Sequence, residues 1–130
     1  MSRFNSLKLV LTGLFFTAAM VSGLAHAKSP MPADLQATIS LTELPAKGVE
    51  MYARIHQGGP FLNEKDGVMF GNREHLLPNN KRGFYREYTV LTPGVTHRGV
   101  KRIVCGGPPK TPDICYYTAD HYASFRRIVP

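Results

Sequence analysis

Phe84-Tyr85-Arg86-Glu87-Tyr88-Thr89-Val90-Leu91 alternates with a period of two. In an extended chain Tyr85, Glu87, Thr89 and Leu91 share one face, and Phe84, Arg86, Tyr88 and Val90 share the other. Thr92-Pro93-Gly94 then reads as a turn. From Arg98 to Cys105 the same period puts Arg98, Val100, Arg102 and Val104 on one face. Ile114 to Thr118 and Phe125 to Val129 read as further strands, with short ones at Gly67 to Phe70 and Thr38 to Leu41. Pro45 to Gln57 is the one convincing helix. Pro45 suits a first helical position, and Gly58-Gly59-Pro60 ends the helix. Gly48, Tyr52 and Ile55, with Met51 beside them, form its apolar stripe, and Gly48 permits close packing. One helix and a run of strands predict an α+β fold, the helix packed on one face of a twisted antiparallel sheet.

The chain has 130 residues and a formal charge of +7. Arg3 and Lys8 precede an apolar stretch from Leu9 to Leu24, and Ala25-His26-Ala27 has the small-x-small form of an export cleavage site. Residues 1–27 are therefore expected to be a signal peptide, 28–40 an N-terminal arm, and 41–130 the folded domain. An uncleaved anchor is the alternative, but the apolar run is short for a membrane span. Cleavage removes two positive charges and no acid, so +7 becomes +5. A small, basic, exported domain suits polyanionic partners (nucleic acid, cell envelope or anionic lipid), and the same charge also serves solubility. No clearly amphipathic basic helix marks a membrane-active protein.

Cys105 and Cys115 bracket a stretch rich in turn formers, Gly106-Gly107-Pro108-Pro109 onward. In an exported protein they are expected to be bridged across a hairpin. Zinc would want two more soft ligands nearby, and His56, His75 and His97 have no ligand spacing. No metal and no cofactor are expected.

Glu87, Arg98, Arg102 and His121 form a chemically coherent set. A carboxylate takes a proton, a histidine gives one, and arginines hold the charge that develops between them. That is sufficient to move a phosphoryl centre without a metal. Glu87 alone reads equally well as half of a surface ion pair, and His121 alone as a loop histidine. Phe70-Gly71-Asn72-Arg73-Glu74 is a turn followed by a carboxylate. Backbone amides there can donate to O6 of guanine, and Glu74 can accept from N1 and the exocyclic amine. Alone, it also reads as an ordinary polar turn.

Taken together, these segments resemble the small secreted bacterial guanyl-specific ribonucleases, the barnase-like microbial ribonuclease family. The likeness runs in order through Asp66-Gly67-Val68-Met69-Phe70, Asn72-Arg73-Glu74, Leu77-Pro78, Tyr85-Arg86-Glu87-Tyr88-Thr89-Val90, Arg98-Gly99, Arg102-Ile103 and Tyr117-Thr118-Ala119-Asp120-His121-Tyr122. It implies a general base at Glu87, a general acid at His121, and phosphate-holding arginines at Arg98 and Arg102. It also implies a guanine clamp at Glu74 with Gly71, Asn72 and Arg73, and nucleotide contacts from Phe70 and Tyr122. The implied partner is RNA, with a small acidic inhibitor of the barstar type as a second. The implied protein is monomeric, secreted and free of the membrane after cleavage. A noncatalytic RNA- or inhibitor-binding member of the same fold is the alternative. Gly71 departs from relatives that carry a side chain there, and Thr96-His97 stands where some have more arginine. The loop closed by the cysteines is longer than in those relatives, and the pair does not match their usual bridge.

Overall fold

The computed structural model describes residues 37–130. The expected signal peptide and most of the arm lie outside the described residues. β1 (Thr38–Ser40) precedes a 3-10 turn at Leu41–Glu43 and α1 (Ala46–Gln57). β2 (Val68–Met69), β3 (Tyr85–Thr89), β4 (Arg102–Gly106), β5 (Ile114–Thr118) and β6 (Arg126–Val129) follow. The six strands form one sheet in the order β1-β6-β5-β4-β3-β2. Every pairing is antiparallel except β1 with β6, which is parallel. The sheet is therefore mixed rather than purely antiparallel. Thr38–Ser40, counted with the arm from sequence, is its edge strand.

α1 begins after Pro45 and ends at Gly58, whose φ of +83° is the left-handed conformation glycine adopts without strain. Gly48, Met51 and Ile55 are buried and Tyr52 is half-buried, so the expected stripe faces the sheet. Gly48 is not required for close packing. A methyl group there would meet Leu44 and Pro45 at 3.5 Å, an ordinary contact.

The alternation of β3 divides the interior into two parts. Tyr88 and Val90 join Met51, Ile55, Ile103, Cys105, Cys115 and Tyr117 beneath the helix. On the opposite face Tyr85 packs with Val104, Tyr116 and Leu77, bordered by Phe70, Tyr122 and Phe125. Glu87 and Thr89 lie on this second face, between its apolar floor and solvent.

Cys105 and Cys115 are direct register partners on β4 and β5, and they are joined in a disulfide with Cα atoms 4.0 Å apart. The bridge closes a loop with a sequence separation of 10 and is buried under the helix. A loop of this size contributes roughly 3 kcal/mol in the chain-entropy model. The native protein is expected to resist thiol alkylation, and reduction should lower its denaturation midpoint by a corresponding amount. Two freely alkylated thiols in the oxidised, folded protein would contradict this.

Candidate active site

Glu87 sits mid-strand on β3, opposite Val68 on β2 and Val104 on β4. Neighbouring strands therefore hold its backbone on both sides. Arg98 donates from Nη2 to Glu87 Oε1 at 2.9 Å and from Nε to Thr89 Oγ1 at 2.7 Å. Tyr122 donates its hydroxyl to the same Oε1 at 2.9 Å. Among the described residues no bond is made to Glu87 Oε2, so one carboxylate oxygen is pinned and the other is free.

Arg102 opposite Thr89 opens β4, and it is only 3% exposed. Its Nε donates to the Tyr122 hydroxyl at 3.1 Å and its Nη1 to the Lys101 carbonyl at 2.8 Å. Its guanidinium lies 5.9 Å from the Tyr122 ring centroid, within cation–π range. Tyr122 thus links Arg102 to Glu87. Burial raises the phenol's pKa, the bond to Glu87 adds to the rise, and Arg102 opposes it. The hydroxyl accordingly remains a donor to Glu87.

Arg98 does not reach Glu87 by strand register. β4 starts at Arg102, and Val100 is exposed. The chain before it turns at Gly99, where φ is +73° and a Cβ would stand 2.9 Å from Thr92 Oγ1. A loop, not a pleat, delivers the guanidinium.

His121 lies in the turn between β5 and β6. It has φ +56° and Tyr122 has φ +74°, two successive left-handed residues that are not glycine. Such conformations persist where surrounding bonds over-determine them. Buried Thr118 accepts the Tyr122 N–H at 3.1 Å and donates to Asp120 Oδ1 at 2.9 Å. Asp120 also accepts the Ser124 N–H at 3.0 Å and the Ser124 hydroxyl at 2.6 Å. These bonds from Ser124 and Thr118 lower its carboxyl pKa. The His121 N–H donates to the Val100 carbonyl at 3.2 Å, which ties this turn to the Arg98 loop. Asp120 therefore holds the turn that presents His121. Sequence reading misses Thr118 as a structural post, although Thr-x-Asp is a common way to fasten a turn.

The Phe70–Glu74 loop is held from within. Asn72, at φ +50°, donates from Nδ2 to the Leu77 carbonyl at 2.9 Å and accepts the Leu77 N–H on Oδ1 at 3.1 Å. Both polar atoms of this side chain thus shape the loop. The N–H groups of Asn72, Arg73 and Glu74 have no protein acceptor among the described residues. Glu74 is exposed and belongs to neither ion pair found there. Gly71 is open: an added Cβ would meet Arg73 Cγ at 3.6 Å.

One cleft of about 500 Å³ unites these parts. It is lined by the Phe70–Glu74 loop on one side and by Glu87, His121 and Tyr122 on the other. Phe70 stacks on Tyr122 with ring centroids 5.2 Å apart and planes at 29°, and Phe125 meets Phe70 edge-on at 5.9 Å. An aromatic wall, free amides, a free carboxylate and an acid–base pair therefore share a single cavity. Arg98 and Arg102 stand behind Glu87 and Tyr122 rather than on the cavity wall.

Residues 28–129 match the protein family described as ribonuclease. The chain belongs to the ribonuclease family. It is 43% identical over 95 residues to guanyl-specific ribonuclease Sa of Kitasatospora aureofaciens, covering 73% of this chain and 96% of that protein. It is 48% identical over 90 residues to guanyl-specific ribonuclease Sa3 of the same organism, covering 69% of this chain but only 62% of that longer protein. Its fold matches ribonuclease Sa2 in complex with mononucleotides at a TM-score of 0.68 and 41% identity, covering 73% of this chain and 95% of that one. A crystal structure of ribonuclease Sa2 with guanosine-2'-cyclophosphate matches at 0.66 and 41% identity, covering 73% and 97%.

Proposed function

We propose that this chain is an exported guanyl-specific endoribonuclease that cleaves single-stranded RNA on the 3′ side of guanosine. The observation that carries the reading is the shared cleft. A loop able to read guanine faces Glu87 and His121 across one cavity. The relatives named guanyl-specific ribonucleases, and ribonuclease Sa2 bound to guanosine cyclophosphate, support the same substrate.

RNA carries its own nucleophile, the 2′-hydroxyl beside each phosphodiester, which DNA lacks. Glu87, through its free oxygen, takes the 2′-hydroxyl proton as O2′ bonds to phosphorus. The bond from phosphorus to O5′ breaks, and protonated His121 gives its proton to the departing oxygen. Arg98 and Arg102 stabilise charge on the non-bridging oxygens. The first product ends in a 2′,3′-cyclic phosphate. Water then opens it, with Glu87 and His121 exchanging roles, to leave a 3′-phosphate. No step calls for a metal, and activity is expected to persist in EDTA.

Export rests on the N-terminal pattern, and the family match begins at residue 28, the first residue after the expected cleavage point. Among the described residues no helix is long and apolar enough to cross a membrane. RNA is the partner this reading requires. A monomeric enzyme, and a small acidic inhibitor filling the same cleft, complete the family-level expectation.

Guanine selection is tested with four dinucleotides that differ only in the 5′ base. Free amides need an acceptor at O6, and Glu74 needs paired donors at N1 and N2, which guanine alone offers together. Cleavage of the guanosine substrate should far exceed the others. Glu74→Gln keeps the shape but places an amide among donors, and it should cost about 1–3 kcal/mol in kcat/KM for the guanosine substrate. Equal rates across the set, or an unchanged preference in Glu74→Gln, would remove this loop as the reader. Binding of RNA without cleavage would instead favour the noncatalytic alternative.

A further inference from the structure

Behind the guanine loop lies a second groove of about 420 Å³ that shares the Met69–Arg73 wall with the cleft. Its other side is the Lys81–Phe84 turn. The Phe84 N–H donates to the Lys81 carbonyl at 3.1 Å, and Gly83 takes φ +84°, so the turn holds Lys81 and Arg82 at its exposed tip. The Tyr85 hydroxyl donates to the Pro78 carbonyl at 2.6 Å and fixes the segment from behind. Burial pushes that phenol up to about 12, with Tyr116 adding to the rise, so it remains a donor.

Arg73, Lys81 and Arg82 line this groove, and no acidic side chain does. None of the three belongs to the ion pairs found among the described residues. Phe70 and Tyr85 add aromatic surface. Unpaired cations beside exposed ring surface are the combination that holds single-stranded nucleic acid: the cations follow the phosphates and the rings accept bases.

We infer that this groove is an upstream RNA subsite, in which Lys81 and Arg82 hold the phosphate on the 5′ side of the recognised guanosine. The inference rests on the reading of the cleft as an RNA-cleaving site. A guanosine with its base at Glu74 and its 3′-phosphate between Glu87 and His121 sends the 3′ strand out past His121. Its 5′ oxygen leaves from the other end of the ribose. The Met69–Arg73 wall borders the cleft on the side of the base, and the cationic groove begins across that wall.

The test compares kcat/KM for a guanosine dinucleotide with that for the same dinucleotide extended by one and two nucleotides on the 5′ side, in the parent and in Lys81→Ala/Arg82→Ala. Extension should raise kcat/KM about tenfold in the parent, as expected of a charge-assisted phosphate contact. The double variant should lose that gain while cleaving the dinucleotide at the parental rate. For the extended substrate, the slope of log kcat/KM against log salt should fall by about 0.7 for each cation removed. No gain on extension in the parent would overturn the subsite and leave guanosine cleavage standing. So would a gain that survives in the double variant, as expected if the groove serves an acidic protein instead. Failure of the parent to cleave even the dinucleotide would remove both the subsite and the function it rests on.

Discussion

Glu87→Ala and His121→Ala are each expected to slow guanosine dinucleotide cleavage by roughly 100- to 10,000-fold, the range for losing a positioned acid or base. The free Glu87 oxygen faces the cleft, and nothing else on that wall is placed to take the 2′-hydroxyl proton. Glu87 also anchors Arg98 and Tyr122, so its removal loosens both. Glu87→Gln is the sharper variant, because it keeps the volume and an oxygen acceptor while removing the base. His121 is exposed, so its imidazole contributes little packing. Its φ of +56° is the concern, since alanine tolerates that conformation poorly. Asparagine tolerates it better, and His121→Asn separates loss of the acid from distortion of the turn. Turnover measured beside a thermal melt distinguishes these cases. Parental activity in Glu87→Gln or in His121→Asn would remove the assigned role.

Arg102→Ala should cost about 100- to 1,000-fold in kcat, the range for removing one preorganised donor to a charged transition state. Arg102 is more deeply buried than any other charged residue described, and a buried donor needs little reorganisation as charge develops. Its loss also leaves the Tyr122 hydroxyl without the donor it accepts from. Arg102→Lys tests the geometry. Lysine keeps the charge but cannot bond Tyr122, the Lys101 carbonyl and a phosphate through a planar fork. It should restore little of the lost rate. Both kcat and kcat/KM should fall together, because the contact strengthens in the transition state. An Arg102→Lys enzyme as fast as the parent would show that charge alone suffices there.

The helix, the two faces of β3 and the cysteine bridge are legible from sequence because each depends on neighbours in the chain. Proline before and glycine after Ala46–Gln57 bound the helix locally. The period of two in Phe84–Leu91 assigns Tyr88 and Val90 to one core and Tyr85 to the other. The same rule overreaches at Arg98. Periodicity assumes an unbroken strand, and Gly99 at φ +73° breaks it. From sequence Asn72 reads as part of the guanine reader, yet its side chain closes the loop onto Leu77. A side-chain amide serves either purpose equally well until its partner is placed.

By itself the sequence determined the residue types that acid–base chemistry on RNA needs, the α+β class, and the strand on which Glu87 stands. These follow from composition, order and short-range periodicity. Only the tertiary structure decided that the sheet is mixed, that β1 runs parallel to β6, and that a loop carries Arg98 to Glu87. It alone decided that Tyr122 bonds Glu87 across a separation of 35 residues and Arg102 across 20. Such contacts depend on how strands and turns meet in space. No local preference encodes them, because each partner's own segment is satisfied without the other.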